Sequence, residues 1–550
     1  MVSLRSLSVG VFLSFPLVFG GVVQKPGLAL PNEYQANRDA VVKIFTTSYQ
    51  AYKDHAFGHD NLQPISQGFS DGRNGWGATI IDAMTTMHIM GLNDLFVEAV
   101  DFASKIDFSK SKTADTVSVF ETTIRYLGGL LSAYELSDRK YPSLLSKAKQ
   151  VADKMAFAWT GTNAVPYGHI DFSTNTPSRT TSNIAEAGTL ILEWATLSKY
   201  VGNDTYGQLA EKSMRQIISQ RTPLPGLPAQ GIDPSTGQPV GGYTWGGGSD
   251  SYFEYLIKHA RLSNSDDEIF ADTWRTAVDS SIKNLLKRST TGNYAYLADY
   301  DSSGTIRHVG SHLACFHGGN WLFGGRLLNN QTIINIGLDL VDACWNTYAS
   351  TATRIGPEVF AYTSSDGSFT GGTPPTPEQI AFNQKHGFYI TAADYIFRPE
   401  VLESNFYAWR VTGDHKYLER AASAIDSFNK YLNFKDAFAG LEDVDNVNSQ
   451  KIDDMESFWF AEVLKYLYLT FDNPAHISLD DYVFNTEAHP FKLPTPKANY
   501  GSSGEVTQSQ SHAPFKASEG PLPAVSSIPA MHKPLKAGDI LKRKRRLHHH

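Results

Sequence analysis

The 550-residue sequence contains little cysteine and no excess of basic residues. Its two cysteines, Cys315 and Cys344, are too few for a small scaffold held together by disulfides. Taken alone, they are equally consistent with one bridge or with two separate buried thiols. The 48 basic and 56 acidic residues give a net charge of −8, which argues against a nucleic-acid partner. Because 41% of the residues are hydrophobic and 12% aromatic, the chain can bury a large core.

Long apolar runs are also lacking, apart from one at the N-terminus. Val9 to Val23 follows Arg5, is interrupted by Pro16 and ends near Gly20 and Gly21. This pattern predicts a signal peptide over residues 1–23, with an end at residue 21 as an alternative. An uncleaved anchor is less favoured because the run is shorter than a membrane span. We therefore expect no stable membrane span and a location in the secretory lumen or outside the cell, which the glycosylation sequons at Asn203 and Asn330 fit.

Amphipathic helices dominate from about residue 32 to residue 470. In the segment 119–136, for example, Ile124, Leu127, Leu131 and Tyr134 share one helix face. Strand signals are few and short. An all-α chain of this size is either an α-solenoid or a closed barrel of paired helices. We favour the barrel because no fixed-period repeat is present and the loops are unequal. Similar helical patterns occur near 35–53, 76–91, 94–104, 143–158, 182–200, 206–219, 250–261, 268–286, 312–324, 332–349, 376–396, 400–411, 416–431 and 455–470.

The composition changes after Pro490 to Pro, Ser, Gly, Lys and His. We predict a disordered tail over residues 492–550. Its basic run, Lys542 to Arg546, could be a processing site or a nucleic-acid patch, but a solvated tail is the preferred interpretation.

Several carboxylates stand in unusual surroundings, as glycosidic hydrolysis requires of an acid and a base. Glu121 begins an apolar helix with Arg125 one turn later, although an ordinary surface ion pair would look the same. Glu400 and Glu403 follow Pro399 in a first helical turn, where acids also simply complement the helix dipole. Asp250 follows a glycine-rich loop and could be an N-cap or a catalytic acid. Glu456 and Glu462 lie among aromatic residues that would suit sugar rings or the core.

Six segments, in this order, resemble the class I α-mannosidases of glycoside hydrolase family 47. They span about residues 33 to 490, and the resemblance implies an (αα)7 barrel forming one catalytic domain over residues 32–491. It also implies that Cys315 and Cys344 form a disulfide. The segments are Phe120 to Tyr134, Ser249 to Leu256, His312 to Phe316, Arg398 to Glu400, Met455 to Phe458 and Val483 to Pro490.

The resemblance also implies the chemistry of the site. A threonine matching Thr486 binds Ca²⁺ through its hydroxyl and carbonyl, and water completes the oxygen shell. Glu121 is expected to be the general acid, acting through water, with Asp250 as the competing acid. Glu400 is expected to be the general base of an inverting reaction, and Glu358 is a further catalytic candidate. The residues expected to line the sugar subsite are Arg125, His312, Arg398, Glu403, Phe458, Glu462 and Glu487.

The function implied is removal of terminal α-1,2-linked mannose from high-mannose N-glycans by a monomeric enzyme. Some members of the family carry an arginine where this chain has Gly248, so we expect broader trimming than removal of one particular mannose. Two alternatives remain open: a non-catalytic mannose-binding quality-control factor on the same barrel, and an inverting glucanase on an (αα)6 barrel.

Overall fold

Paired helices make up most of the computed structural model, which describes residues 22–502. The predicted signal peptide lies outside the described residues except for Val22 and Val23. The described part contains seventeen α-helices: α1 (Gln35–His55), α2 (Ala78–Ile89), α3 (Asn93–Lys105), α4 (Val119–Glu121), α5 (Gly128–Leu136), α6 (Pro142–Met155), α7 (Ile184–Gly188), α8 (Ile191–Val201), α9 (Thr205–Ile218), α10 (Asp250–Ser263), α11 (Ile269–Asn284), α12 (Phe316–Leu327), α13 (Gln331–Ala349), α14 (Pro377–His386), α15 (Glu400–Thr412), α16 (Lys416–Tyr431) and α17 (Leu464–Thr470).

Two wider helical turns extend this set. Thr122–Leu127 joins α4 to α5, and Trp459–Val463 leads into α17. Both are π-helical segments, which occur frequently at functional sites. We count each π-helical segment together with the helices that it joins, and α7 together with α8, as one helix. The inner ring then consists of α2, α5, α8, α10, α12, α15 and α17. It closes where the Trp459–Val463 turn contacts α2. Each inner helix has an outer partner, which confirms the predicted (αα)7 barrel.

Burial follows these two rings. Nearly every residue of α2 and α12 is buried, as expected for helices enclosed on all sides. In the outer helix α3, by contrast, only Phe96, Ala99, Val100 and Ala103 are buried. The apolar core therefore lies between the rings, and the polar side chains of the inner helices are left to line the inside of the barrel.

Within the described residues, short antiparallel strands connect the helices in nine sheets of two or three strands. In one three-stranded sheet Ser311 pairs with Val359, and in the last hairpin Val483 pairs with Phe491. The strands are β1 (Asn61–Gln63), β2 (Gly68–Ser70), β3 (Val117–Ser118), β4 (His169–Asp171), β5 (Thr176–Pro177), β6 (Ser182–Asn183), β7 (Gly231–Ile232), β8 (Pro239–Val240), β9 (Leu286–Arg288), β10 (Ala295–Leu297), β11 (Asp299–Tyr300), β12 (Ile306–Arg307), β13 (Val309–Ser311), β14 (Val359–Ala361), β15 (Tyr389–Ala392), β16 (Asn433–Phe434), β17 (Ala437–Phe438), β18 (Gly440–Leu441), β19 (Lys451–Ile452), β20 (Tyr482–Phe484) and β21 (Pro490–Lys492).

One helix is shorter than its apolar pattern predicts. The pattern over 376–396 predicts a single helix, but α14 ends at His386. Gly387 then adopts a φ of +81° and donates its N–H to the Asn383 carbonyl, a common way to end a helix. The following residues instead form β15, which pairs with β14.

Both ends of the described chain lie against the barrel. The backbone N–H of Val23 donates to Asp480 Oδ1 at 2.7 Å. At the other end, Arg261 Nη1 donates to the Pro494 carbonyl at 2.9 Å, and Tyr500 donates to Asn264 Oδ1 at 2.5 Å. Residues 494–502, which we expected to belong to the tail, thus lie along α10 and α11.

The disulfide implied by the resemblance is present. Cys315 and Cys344 are bonded, with their Cα atoms 5.9 Å apart. The bond connects the turn that precedes the inner helix α12 to the outer helix α13. No helix within residues 22–502 is both long enough and apolar enough to cross a membrane.

Candidate active site

Three acidic candidates occupy first turns of inner helices. Asp250 begins α10, Glu400 begins α15 and Glu121 lies in α4. The Ser118 hydroxyl caps α4 by accepting from the Glu121 N–H at 3.2 Å, and the Asp250 N–H donates to the Gly246 carbonyl at 3.0 Å. Because helix N-termini favour negative charge, each of these positions suits a carboxylate.

Glu121 is held by two arginines. Arg125 Nε donates to Glu121 Oε2 at 2.8 Å, and Arg73 Nε lies 3.4 Å from the same oxygen. Burial alone would raise the pKa of Glu121, but the charges of Arg73 and Arg125 lower it to about 2. The predicted i,i+4 pair of Glu121 and Arg125 is therefore part of a partly buried network of charges. With this pKa, Glu121 is ionised over the whole physiological pH range.

Arg125 extends this network towards the barrel floor. Its Nη1 pairs with Glu487, lies 3.2 Å from Asp82 Oδ2 and donates to the Ser457 hydroxyl at 3.3 Å. Its guanidinium also lies 5.6 Å from the ring centre of Phe458. Arg125, Phe458 and Glu487 are therefore parts of one surface.

The turn between β20 and β21 forms the floor of the candidate site, because Glu487 within it pairs with Arg125. Asn485 Oδ1 accepts the N–H groups of Glu487 at 3.0 Å and His489 at 2.8 Å. Thr486 is the one residue of the run 483–490 that is not fully buried, and its N–H donates to the Tyr255 hydroxyl at 3.3 Å. Thr486 is thus the most exposed residue of this run, and it adjoins Glu487, which pairs with Arg125.

Glu400 and Glu358 are paired with different partners. His312 Nδ1 lies 2.7 Å from Glu400 Oε2, and its Nε2 lies 2.8 Å from the Tyr348 hydroxyl. Arg398 donates to both oxygens of Glu358, with Nε at 3.0 and 2.9 Å. Burial would raise the pKa of Glu358, but Arg398 lowers it. Glu358 is therefore held as a charged partner of Arg398, whereas no arginine of residues 22–502 forms an ion pair with Glu400.

The remaining acids form a group with too little positive charge around it. Burial, followed by the charges of Glu254 and Glu400, raises the pKa of Asp250 to about 7. The pKa values of Glu403, Glu462 and Glu487 are also raised well above the ordinary range, mainly by burial. Close carboxylates in a buried cavity favour protonation or a bound cation.

Several residues in the site were not singled out from the sequence. Asp82 and Glu193 are fully buried. Each is an acidic residue within a mainly apolar helical segment, and this pattern could have identified them from the sequence. Burial raises the pKa of Glu193 to about 8, and its Oε1 accepts from Tyr255 and Asn485. Arg73 lies in a polar loop and carries no such signal.

The expected calcium site can be checked against this geometry. Within residues 22–502, no three His, Cys, Asp or Glu side chains converge as a metal-binding group. The expected site is of another kind, because Thr486 would supply two oxygens and water the rest. Glu193 Oε2 is buried without a hydrogen-bond partner, and Glu462 and Glu487 are buried carboxyl groups whose pKa values are raised. These residues fit a hydrated divalent cation beside Thr486.

Comparison with known proteins identifies the family. The sequence profile of glycosyl hydrolase family 47 matches residues 44–493. The chain belongs to glycosyl hydrolase family 47. It is therefore a member of a glycoside hydrolase family, and the glucanase alternative is not supported.

Relatives within family 47 cover nearly the whole folded region. The chain is 40% identical over 482 residues to the mannosyl-oligosaccharide alpha-1,2-mannosidase 1B of Aspergillus phoenicis, covering 84% of this chain and 92% of that protein. It is 39% identical over 484 residues to a mannosyl-oligosaccharide alpha-1,2-mannosidase of Coccidioides posadasii, covering 84% and 91%. Among solved structures, the alpha-1,2-mannosidase from Trichoderma reesei matches with a TM-score of 0.80 at 38% identity, covering 85% of this chain and 100% of that one.

Proposed function

We propose that this family 47 chain is an inverting α-1,2-mannosidase that removes terminal mannose from high-mannose N-glycans. The single observation that carries the proposal is one network of buried acids at helix starts: Glu121 shares Arg125 with Glu487, the neighbour of Thr486, and the charge of Glu400 acts on Asp250. The activity named for the relatives that match most of the chain supports the same conclusion.

Glu400 is the proposed general base. It is buried, begins α15 and contacts His312 without an arginine partner, so its carboxylate can accept a proton from the attacking water. His312, held by Tyr348, orients it. An inverting reaction requires the acid and the base to stand about 6.5–9.5 Å apart so that this water fits between them.

For the proton donor, the electrostatics favour Asp250 over Glu121. A pKa of about 7 lets Asp250 hold a proton at neutral pH, whereas Glu121, with a pKa of about 2, is ionised. Glu121 then orients the leaving oxygen or a water through which the proton passes, as an anion rather than as the source of the proton. This reverses the order of the two acids expected from the resemblance.

The terminal mannose is proposed to bind between the floor and the arginines. Phe458 lies between Arg125 and Arg398, whose guanidiniums are 5.6 and 6.0 Å from its ring centre. An aromatic face bordered by charged donors suits a sugar, which has an apolar face and polar edges. Glu358, His312, Glu403, Glu462 and Glu487 complete this subsite.

Ca²⁺ is the proposed cofactor, with the Thr486 hydroxyl and carbonyl as its protein ligands. When bound, the ion would supply oxygen coordination for two vicinal hydroxyls of the sugar and would neutralise part of the surrounding acid. Glu193, Glu462 and Glu487 would bind the water molecules of its shell.

Gly248 supports broad trimming. Its φ is +84°, and a Cβ there would lie 2.9 Å from Gln230 Nε2. An arginine could therefore enter this loop only with strain and displacement of Gln230. Without that side chain, the cleft has no cation at this position to select one glycan branch.

The remaining proposals concern the whole chain. We place it in the secretory lumen or outside the cell, as a monomer with a signal peptide, a catalytic domain over residues 32–491 and a tail. In either location Asn203 and Asn330 would carry N-linked glycans. Val23 and the segment 494–502 also pack against the catalytic domain.

Digestion of a high-mannose glycan tests the proposal. The enzyme should release several mannoses and stop when only α-1,3 and α-1,6 linkages remain. Glu400→Gln should abolish release while retaining glycan binding. A clean stop after one mannose would contradict broad trimming. Glycan binding without release by the parent protein would instead support the non-catalytic alternative.

A further inference from the structure

Arg73 is the least expected residue in the candidate active site, because it comes from a loop remote in sequence from every acidic candidate. Its side chain is 16% exposed and spans two carboxylates. Nε lies 3.4 Å from Glu121 Oε2, and an Nη atom lies 3.9 Å from Glu456 Oε2. It therefore connects the helix that carries Glu121 to the segment that carries Phe458.

The backbone around Arg73 is fixed by one buried carboxylate. Asp60 accepts the N–H groups of Arg73 at 2.8 Å, Gly75 at 2.7 Å, and Gly77 and Ala78 at 3.0 Å. Asn74, Gly75 and Gly77 all have φ between +71° and +83°, so the loop turns tightly around Asp60. Because the loop is sharply curved and held by several hydrogen bonds to Asp60, it fixes the position from which the Arg73 side chain extends.

This loop is also bonded to the helix that carries Glu121. The Tyr126 hydroxyl, one residue after Arg125, donates its proton between the Arg73 carbonyl, at 2.9 Å, and Asp60 Oδ1, at 3.1 Å. The positions of Arg73 and Glu121 are thus set relative to each other by buried hydrogen bonds as well as by their own ion pair.

Both arginine contacts on Glu121 fall on the same oxygen. Arg125 donates a hydrogen bond to Oε2 at 2.8 Å and Arg73 forms an ion pair with the same oxygen at 3.4 Å, and no protein hydrogen bond to Oε1 is present within the described residues. A carboxylate clamped on one oxygen has its second oxygen in a fixed direction. That second oxygen is available to the leaving sugar or to a water.

We propose that Arg73 is a positioning residue that, together with Arg125, clamps Glu121 as an oriented anion for the reaction. The inference rests on the proposed function and deepens it. Arg125 alone would leave Glu121 on one arginine contact and would share its charge among Asp82, Glu487 and Glu121. Arg73 supplies a second cation whose other partner is Glu456. Its contribution is therefore to the chemical step rather than to binding of the terminal mannose.

The test compares Arg73→Gln, Arg73→Lys and Lys112→Gln with the parent enzyme on α-1,2-mannobiose. Lys112 is the matched control, because its side chain is exposed while its N–H donates to the Asn74 carbonyl of the same loop. Arg73→Gln should lower kcat by about 10–100-fold with KM changed by less than about threefold. Arg73→Lys keeps the positive charge but loses the forked guanidinium group. Its kcat should therefore lie between those of the parent enzyme and Arg73→Gln.

The pH profile distinguishes positioning from folding. Losing the Arg73 charge raises the pKa of Glu121, so the acid limb of kcat/KM should move to higher pH in Arg73→Gln, less in Arg73→Lys and not in Lys112→Gln. Parent-like kcat and profile in Arg73→Gln would overturn the inference. So would equal losses in both Arg73 variants with a lower melting temperature and an unmoved acid limb.

If Arg73→Gln does not fold, Arg73→Lys decides the question by the same two measurements. If the proposed function is wrong, the parent enzyme itself will release no mannose. That result distinguishes it from a failure of the inference about Arg73.

Discussion

At the scale of single residues, the account depends on two carboxyl groups with opposite environments. Burial next to Glu254 and Glu400 raises the pKa of Asp250 to about 7, whereas two arginines lower that of Glu121 to about 2. The sequence could indicate both as candidates but not their order, because the second arginine comes from residue 73. Separated pKa values are how one site holds an acid and an anion together.

The first prediction concerns Asp250 as proton donor. An acid must be protonated, so kcat/KM of the parent enzyme should fall as pH rises through about 7. Asp250→Asn should lower kcat/KM for α-1,2-mannobiose by about 10²–10⁴-fold. With α-mannosyl fluoride, whose leaving group needs no proton, the same variant should lose less than about tenfold.

Glu121→Gln is the matched comparison. Because Glu121 is proposed to orient the leaving oxygen or the water that relays the proton, Glu121→Gln should also lose less activity on the fluoride than on the disaccharide. Rescue of Glu121→Gln by the fluoride, with no rescue of Asp250→Asn, would restore the assignment expected from the resemblance.

At the scale of elements, the apolar periodicity of the sequence predicts most of the helices but not the residues at which they end. The pattern over 376–396 continues past the real end of α14 because Gly387 adopts a left-handed φ that periodicity does not reveal. The pattern over 182–200 likewise contains a break between α7 and α8. The turn 485–489 shows the larger limit: its role depends on Asn485 bonding within the turn and to Glu193, which lies almost 300 residues earlier.

The second prediction separates a helix cap from a glycan. Asn330 caps α13 by accepting the Ile333 N–H at 3.2 Å, and the same residue begins a sequon. In protein from a host that does not N-glycosylate, Asn330→Ala should lower the free energy of unfolding by about 1 kcal/mol. Thr332→Val removes the sequon but keeps the cap, so its stability should be unchanged.

The same two variants test glycosylation in a host with N-glycans. Both should lose the mass of one glycan relative to the parent. Equal stability of both variants in the non-glycosylating host would contradict the cap, and an unchanged mass in the glycosylating host would contradict modification of Asn330.

At the scale of the whole molecule, the closed ring of seven inner helices explains how acids distant in sequence meet. The disulfide joins the turn before the inner helix α12 to the outer helix α13, closing a loop with a sequence separation of 29. In the chain-entropy view, replacing Cys315 and Cys344 with serine should lower stability by about 3–4 kcal/mol. Denaturant unfolding measures this, and a loss below about 1 kcal/mol would contradict the expected role.

Calcium should stabilise the whole barrel, because a ligand bound only by the native state raises its melting temperature. Chelation should lower the melting temperature, and added calcium should restore it. Thr486→Ala removes one of the two proposed protein oxygens, so more calcium should be needed for the same shift. Thr486→Ala with the calcium dependence of the parent protein would contradict the metal assignment.

The most direct test of the central claim is a proton NMR time course of α-1,2-mannobiose hydrolysis. An inverting attack by water opposite the leaving sugar predicts that β-mannose appears first and α-mannose only later, by mutarotation. Glu400→Gln should give neither signal. Early α-mannose would contradict the inverting mechanism, and the absence of any mannose from the parent enzyme would contradict the proposed activity.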